Sequence, residues 1–134
     1  MQSTTFFLFL MVSITLHGQN PGIIAEDATV EKVGTGYAFT EGPAVDTEGR
    51  VFFTDQPNDR IHVWDEGKGI SLWLEGTGRS NGMYFDNDGQ LLACADEHNR
   101  IVRFDDRKEM YTLFESYEGK HLNGPNDLWV SPTG

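Results

Sequence analysis

The stretch EGPAVDTEGRVFFTDQPNDRIHVWD, Glu41 to Asp65, returns 40 residues later without a gap as NGMYFDNDGQLLACADEHNRIVRFD, Asn81 to Asp105. Gly42 falls on Gly82, Asp46 on Asp86, Gly49 on Gly89, Arg60 on Arg100, Ile61 on Ile101 and Asp65 on Asp105. A third opening, NDLWVSPTG from Asn126 to Gly134, matches NGMYFDNDG at a spacing of 45. A period of this length marks a repeat architecture, in which each unit buries an apolar face on its neighbour.

Inside each copy, short runs rich in Val, Ile, Phe, Trp, Tyr and Leu alternate with turns of Asp, Asn, Gly and Pro. The first copy reads PAVD, VFFTD, RIHVWD and ISLWLE, and the second MYFD, LLACA, RIVRF and MYTLFE. Such runs predict antiparallel strands, four to a copy, and no helical period competes with them. A four-stranded unit of about 40 residues is the pattern of a β-propeller blade. The expected units are 41–80, 81–125 and 126–134, the last being the first strand of a third blade. Propellers close with about four to eight blades, so the chain reads as the N-terminal part, 19–134, of a larger ring. Thr29 to Val33 forms a further strand-like run that a closed ring could pair with its last blade.

The heads of the repeats differ while their bodies agree. Glu41, Asn81 and Asn126 are equivalent positions, and in a propeller the innermost strands bring such positions together around one channel. Carboxylate and amide oxygens are the donors that a hard divalent cation takes. Asn81, beside Gly82, is equally accounted for as a turn residue. Glu41 precedes Gly42, which permits close backbone approach, and Pro43, which fixes direction.

Asp55, Asp59, Asp65, Asp96 and Asp105 stand at strand ends and turns, where Asp caps its own backbone. His98 falls in an outer turn, and Trp64, Trp73 and Phe104 fall in outer strands, where packing between blades uses large rings. Cys94, the single cysteine, lies in the apolar run LLACA and is expected to be a buried, inert thiol.

The chain has 134 residues with a net charge of -11, and Lys and Arg total 10. That balance opposes binding to a phosphate backbone, which needs a basic surface. At the N-terminus, Phe6 to Leu16 is an apolar core of 11 residues followed by Gly18. The core is too short for a membrane-spanning helix and suits a secretory signal peptide over 1–18, which implies export to the periplasm or the exterior. A buried first strand or helix is the alternative, since no Lys or Arg precedes the core.

The runs EGPAVDTEGRVFFTD, RSNGMYFDNDGQLLACADEHNRIVRF and YEGKHLNGPNDLWVSPTG resemble the SMP-30/gluconolactonase/luciferin-regenerating-enzyme family from about Gly36 to Gly134. The resemblance implies a six-bladed propeller with one divalent cation, usually Ca2+ with Mg2+, Zn2+ or Mn2+ as alternatives, in its channel. It also implies hydrolysis of sugar-acid lactones. Glu41 of TEGP matches the family's first metal ligand. Asn126 of NGPND matches a channel asparagine that contacts substrate or metal-bound water, and Asn81 matches a channel position of variable role. The remaining ligands, an Asn and an Asp, and the Asp general base are implied to follow Gly134, so the 134-residue chain alone is expected to lack activity. Related propeller enzymes of strictosidine-synthase-like or paraoxonase-like type, and a non-catalytic binding propeller, are the competing readings. Oxygen-bearing heads in later blades favour the hydrolase.

Overall fold

The computed structural model describes Ala25 and residues 27–133. The chain divides into two compact units, Met1–Glu31 and Lys32–Gly134. The expected signal peptide at 1–18 lies outside the described residues. Of the first unit, the described part carries one turn bond, from the Ala28 N–H to the Ala25 carbonyl at 3.0 Å.

The second unit holds two four-stranded antiparallel sheets in simple strand order. The first sheet is formed by β1 (Thr40–Val45), β2 (Val51–Asp55), β3 (Arg60–Asp65) and β4 (Gly69–Glu75). The second is formed by β5 (Ser80–Phe85), β6 (Leu91–Ala95), β7 (Arg100–Phe104) and β8 (Met110–Phe114). The predicted four strands per copy are therefore present in both complete copies.

The retained residues of the repeat make the turns. Asp46 accepts the N–H groups of Glu48 and Arg50 at 2.9 Å each, and Asp86 accepts those of Asp88 and Gln90 at 3.0 and 2.8 Å. Gly49 and Gly89 follow at φ 80° and 79°, in the left-handed region that favours glycine. The expected turns QPND and DEHN form short 3-10 helices, Gln56–Asn58 and Asp96–His98. Each ends on a left-handed residue, Asp59 at φ 54° and Asn99 at φ 51°.

The two sheets stack through one apolar core. From the first come Ala44, Phe52 and Ile61, and from the second Met83, Leu91, Ala93, Ala95, Val102 and Phe104. The period of two along a strand separates the faces: Phe52 and Thr54 of β2 point toward the second sheet and are buried, while Phe53 between them is only half-buried. The Phe52 ring meets Phe85 edge-on at 5.1 Å and Trp73 at 5.5 Å, and Trp73 meets Phe104 at 5.7 Å. Those edge-to-face contacts cross the gap between sheets twice, which is the packing expected of Trp73 and Phe104.

All five residues of β6 are buried. Its far face is covered by the C-terminal segment: Leu92, Ile101, Leu113 and Phe114 surround a cavity of about 450 Å³ with Leu128, Trp129 and Val130.

Two further strand-like runs were expected to pair with strands of other blades. Thr29 to Val33 adopts no strand, and residues 126–133 form none either. The latter segment is tied to β5 by the Gly82 N–H donating to the Asn126 carbonyl at 2.8 Å. A strand needs a continuous ladder of such bonds, and no second strand of the third copy lies beside it among the described residues. The longer second spacing, 45 against 40, is taken up by a small ribbon, β9 (Ser116–Tyr117) paired with β10 (Lys120–His121). Its turn places Glu118 and Gly119 at φ 50° and 75°, matching the twist of a tight hairpin.

Replacing Phe52 with Ala should lower unfolding free energy in a urea titration by about 3–5 kcal/mol, because cavity and transfer terms add. Leu72, which is 49% exposed, should cost within about 0.5 kcal/mol on the same change.

Candidate functional site

Each repeat head sits at or beside a β-bulge. The β1–β2 pairing runs from Glu41 opposite Thr54 to Ala44 opposite Phe52, so one extra residue is accommodated in β1. In the second sheet the pairing jumps from Ser80 opposite Ala95 to Met83 opposite Ala93. A bulge frees a residue from strict alternation and re-aims its side chain; the irregular stretch lies just after Glu41 in the first sheet and includes Asn81 in the second.

The first strands of the two sheets then touch through their backbones. A Cβ added to Gly42 would lie 2.1 Å from the Asn81 carbonyl oxygen and 2.8 Å from the Gly82 Cα. One added to Gly82 would lie 2.5 Å from the Asn126 carbonyl oxygen. Only glycine allows either approach, as expected at Gly42 from its place after Glu41. Consequently Glu41 and Asn81 stand on adjoining strands, and Asn126 follows as the next backbone in line.

The three heads differ in environment. Glu41 is half-buried and its carboxylate accepts the Gly42 N–H at 3.4 Å. It is the one carboxylate lining a cavity of about 400 Å³, with Tyr37, Thr40, Pro43, Phe53 and Ile70 among the other walls. Asn81 is half-buried, and its side-chain oxygen is buried with no hydrogen-bond partner. Asn126 is exposed. A buried amide oxygen without a donor is a group that a cation or a hydroxyl can satisfy, while the cavity bordered by Glu41 is lined by neither Asn81 nor Asn126. Among the described residues, no cluster of three or more His, Cys, Asp or Glu side chains is placed to hold a metal.

Two features beside the heads were not legible in the sequence. Thr54 is fully buried, lies opposite Glu41 in the β1–β2 register, and donates its hydroxyl to the Asn81 carbonyl at 3.5 Å. His62 stacks on Phe53 at 5.4 Å and meets the edge of Tyr37 at 5.0 Å. Burial pushes its imidazole pKa down, and the nearby Asp55 carboxylate opposes that only in part. Nothing in the repeat marks His62, because Val102 occupies the equivalent place.

The five aspartates expected at strand ends and turns each accept a local hydrogen bond or ion pair. Asp55 accepts the Ala38 and Phe39 N–H groups at 3.0 and 3.1 Å and the Asn58 amide at 2.8 Å. Asp59 accepts from the Thr77 and Arg79 N–H groups and the Thr77 hydroxyl. Asp65 pairs with Lys68, Asp96 accepts from Gln56, and Asp105 accepts from Arg107 and Glu109. His98 is exposed. Cys94 is buried, and its thiol is pushed up to about 11 by burial, with the Asp127 carboxylate adding to the effect.

Stacked antiparallel blades with polar heads on adjoining first strands define a propeller-type protein. A profile described as SMP-30/Gluconolactonase/LRE-like region matches residues 39–134, and the chain belongs to that family. The gluconolactonase of Zymomonas mobilis is 25% identical over 127 residues, covering 84% of this chain and 36% of that protein. A gluconolactonase of Xanthomonas campestris, described as important in glucose secondary metabolic pathways, superposes with a TM-score of 0.70. Its identity is 30%, over 73% of this chain and 33% of its own. Virginiamycin B lyase of Staphylococcus aureus superposes with a TM-score of 0.56 at 15% identity, over 71% of this chain and 32% of its own, a likeness of fold alone. The chain spans about a third of the length of these relatives.

Two outcomes test the structural assignments. Burial works to raise the Asp55 carboxyl, but donors from Asn58, Phe39 and Ala38, with His62, outweigh it and hold its pKa below the ordinary value. A depressed folded pKa gives stability that is present above the unfolded value, about 3.9, and is lost as pH falls through the folded one. Asp55→Asn should therefore flatten the acid limb of the stability curve in urea titrations as pH falls below about 4. Cys94 should resist a thiol reagent in the native protein at pH 8 and react fully in denaturant. Rapid native labelling would contradict its burial.

Proposed function

We propose that this chain supplies two blades and the opening of a third to an exported, cation-dependent lactonase of the gluconolactonase kind, built as a six-bladed propeller. The observation that carries the reading is the pair Glu41 and Asn81 on adjoining bulged strands, the second with an unpartnered buried oxygen, in a chain of this family.

Glu41 would hold the cation, for which Ca2+ is the first choice and Mg2+, Mn2+ or Zn2+ are alternatives, since a carboxylate serves each. When bound, such an ion supplies Lewis-acid polarisation of an ester carbonyl and charge stabilisation of the developing oxyanion. The Gly42 N–H steadies one Glu41 oxygen, which keeps the carboxylate turned toward its own strand head. Asn81 offers an acceptor to the ion or to a substrate hydroxyl. The side-chain amide of Asn126 has both donor and acceptor capacity and suits the ring oxygen and hydroxyls of a sugar-acid lactone. Removal of a proton from the attacking water is general-base work for a carboxylate. The resemblance to the family implies that this task falls to an Asp on a further blade. The reading calls for a small-molecule lactone as partner and for no nucleic acid, in keeping with the charge of -11.

Calcium should stabilise the protein by about 2.7 kcal/mol at 100 times its Kd, and a chelator should remove that gain. Glu41→Gln keeps the shape and removes the charge, and it should weaken calcium binding by roughly tenfold or more. Calcium affinity unchanged in Glu41→Gln, or lactone turnover indifferent to chelation, would defeat the reading.

A further inference from the structure

We propose that Thr54 is a positioning residue that sets Asn81 against Glu41, an inference that rests on the cation-site reading above. Thr54 is the residue that joins the two heads. Within its sheet it stands opposite Glu41, and across the gap its hydroxyl donates to the Asn81 main-chain carbonyl at 3.5 Å. Its side chain is fully buried, and a buried hydroxyl requires a partner. Gly42 brings the same carbonyl against the β1 backbone from the other side. The Asn81 carbonyl is therefore held between Gly42 and Thr54, while its side-chain oxygen remains buried and unpartnered. Fixing the main chain in this way restricts where that free oxygen can point, which is the requirement for a preorganised ligand or acceptor.

The repeat supports a local role rather than a general packing one. The position equivalent to Thr54 is Cys94, equally buried. Both copies place a small side chain with an S–H or O–H at this strand position, although neighbouring positions of the strand change size freely, as Phe53 to Ala93 does. A Val in either place would fill similar volume without a donor.

The test is calcium titration by calorimetry on the complete ring that carries this chain together with the later-blade ligands, comparing Thr54→Val, Thr54→Ser and Glu41→Gln, with melting midpoints measured in chelator. Thr54→Val removes the donor at similar volume and should weaken calcium binding about three- to tenfold, the usual net effect of one lost hydrogen bond with its partner left behind. Thr54→Ser restores the hydroxyl and should bind within about twofold of the parent, since the donor is retained. Calcium affinity at the parent level in Thr54→Val, with Glu41→Gln impaired, overturns this inference and leaves the site reading standing. Equal losses in Thr54→Val and Thr54→Ser also overturn it, because the hydroxyl would then not be the cause. A parent ring that binds no calcium removes both the site reading and this inference.

Discussion

The close passage of one inner strand over the next, backbone against backbone at Gly42 and again at Gly82, is the constraint on which the rest depends. A single methyl at Gly42 would enter the Asn81 carbonyl, and one at Gly82 would enter the Asn126 carbonyl. Side chains are excluded at these two points of contact, and elsewhere the space between the sheets is filled by rings, Phe52 against Phe85 and Trp73 against Phe104.

The junctions between blades repeat as faithfully as the blades. The Gln56 N–H donates to the Phe39 carbonyl, and its equivalent Asp96 to the Arg79 carbonyl. Asp59 accepts the Arg79 N–H at 2.6 Å, and its equivalent Asn99 accepts the Gly124 N–H at 2.8 Å. Each left-handed residue after a 3-10 turn thus captures the backbone that leads into the next head. The exchange of Asp for Asn removes a charge and keeps the acceptor, which is all that the bond requires. Several of the chain's carboxylates close turns or junctions in this manner, Asp46, Asp55, Asp59, Asp86 and Asp105 among them, whereas Glu41 stands at a strand head.

How much of this could be read from the sequence follows from which interactions are periodic. Turn aspartates, turn glycines and apolar alternation recur at 40 residues, so strands, order and the interior position of Cys94 were accessible. The heads were accessible too, because a polar residue that varies within a constant frame stands out. Thr54 was hidden, since its significance lies in a bond to a residue 27 positions away, and its equivalent is a cysteine whose chemistry looks unrelated. The strand expected after Asn126 failed for a different reason. The pattern of NDLWV is strand-like, but pairing is a property of two segments, and a propensity in one does not supply the other.

The bulges reconcile the two demands made on the heads. Without the extra residue, Glu41 and Asn81 would be locked into the alternation that sends each neighbouring side chain into the seam or the core, and any change there would be felt in packing. With it, the irregularity sits beside Glu41 and at Asn81, where Glu and Asn exchange while Gly42 and Gly82 stay fixed one position later. The third copy carries this further: the glycine position is occupied by Asp127, which bonds its own chain at the Leu128 N–H. The constraint is passed to whichever glycine faces inward, and Gly82 already provides it beneath Asn126. Freedom at the head therefore has its counterpart in rigidity directly behind it, at glycine on the strand itself and at Thr54 or Cys94 on the strand beside it.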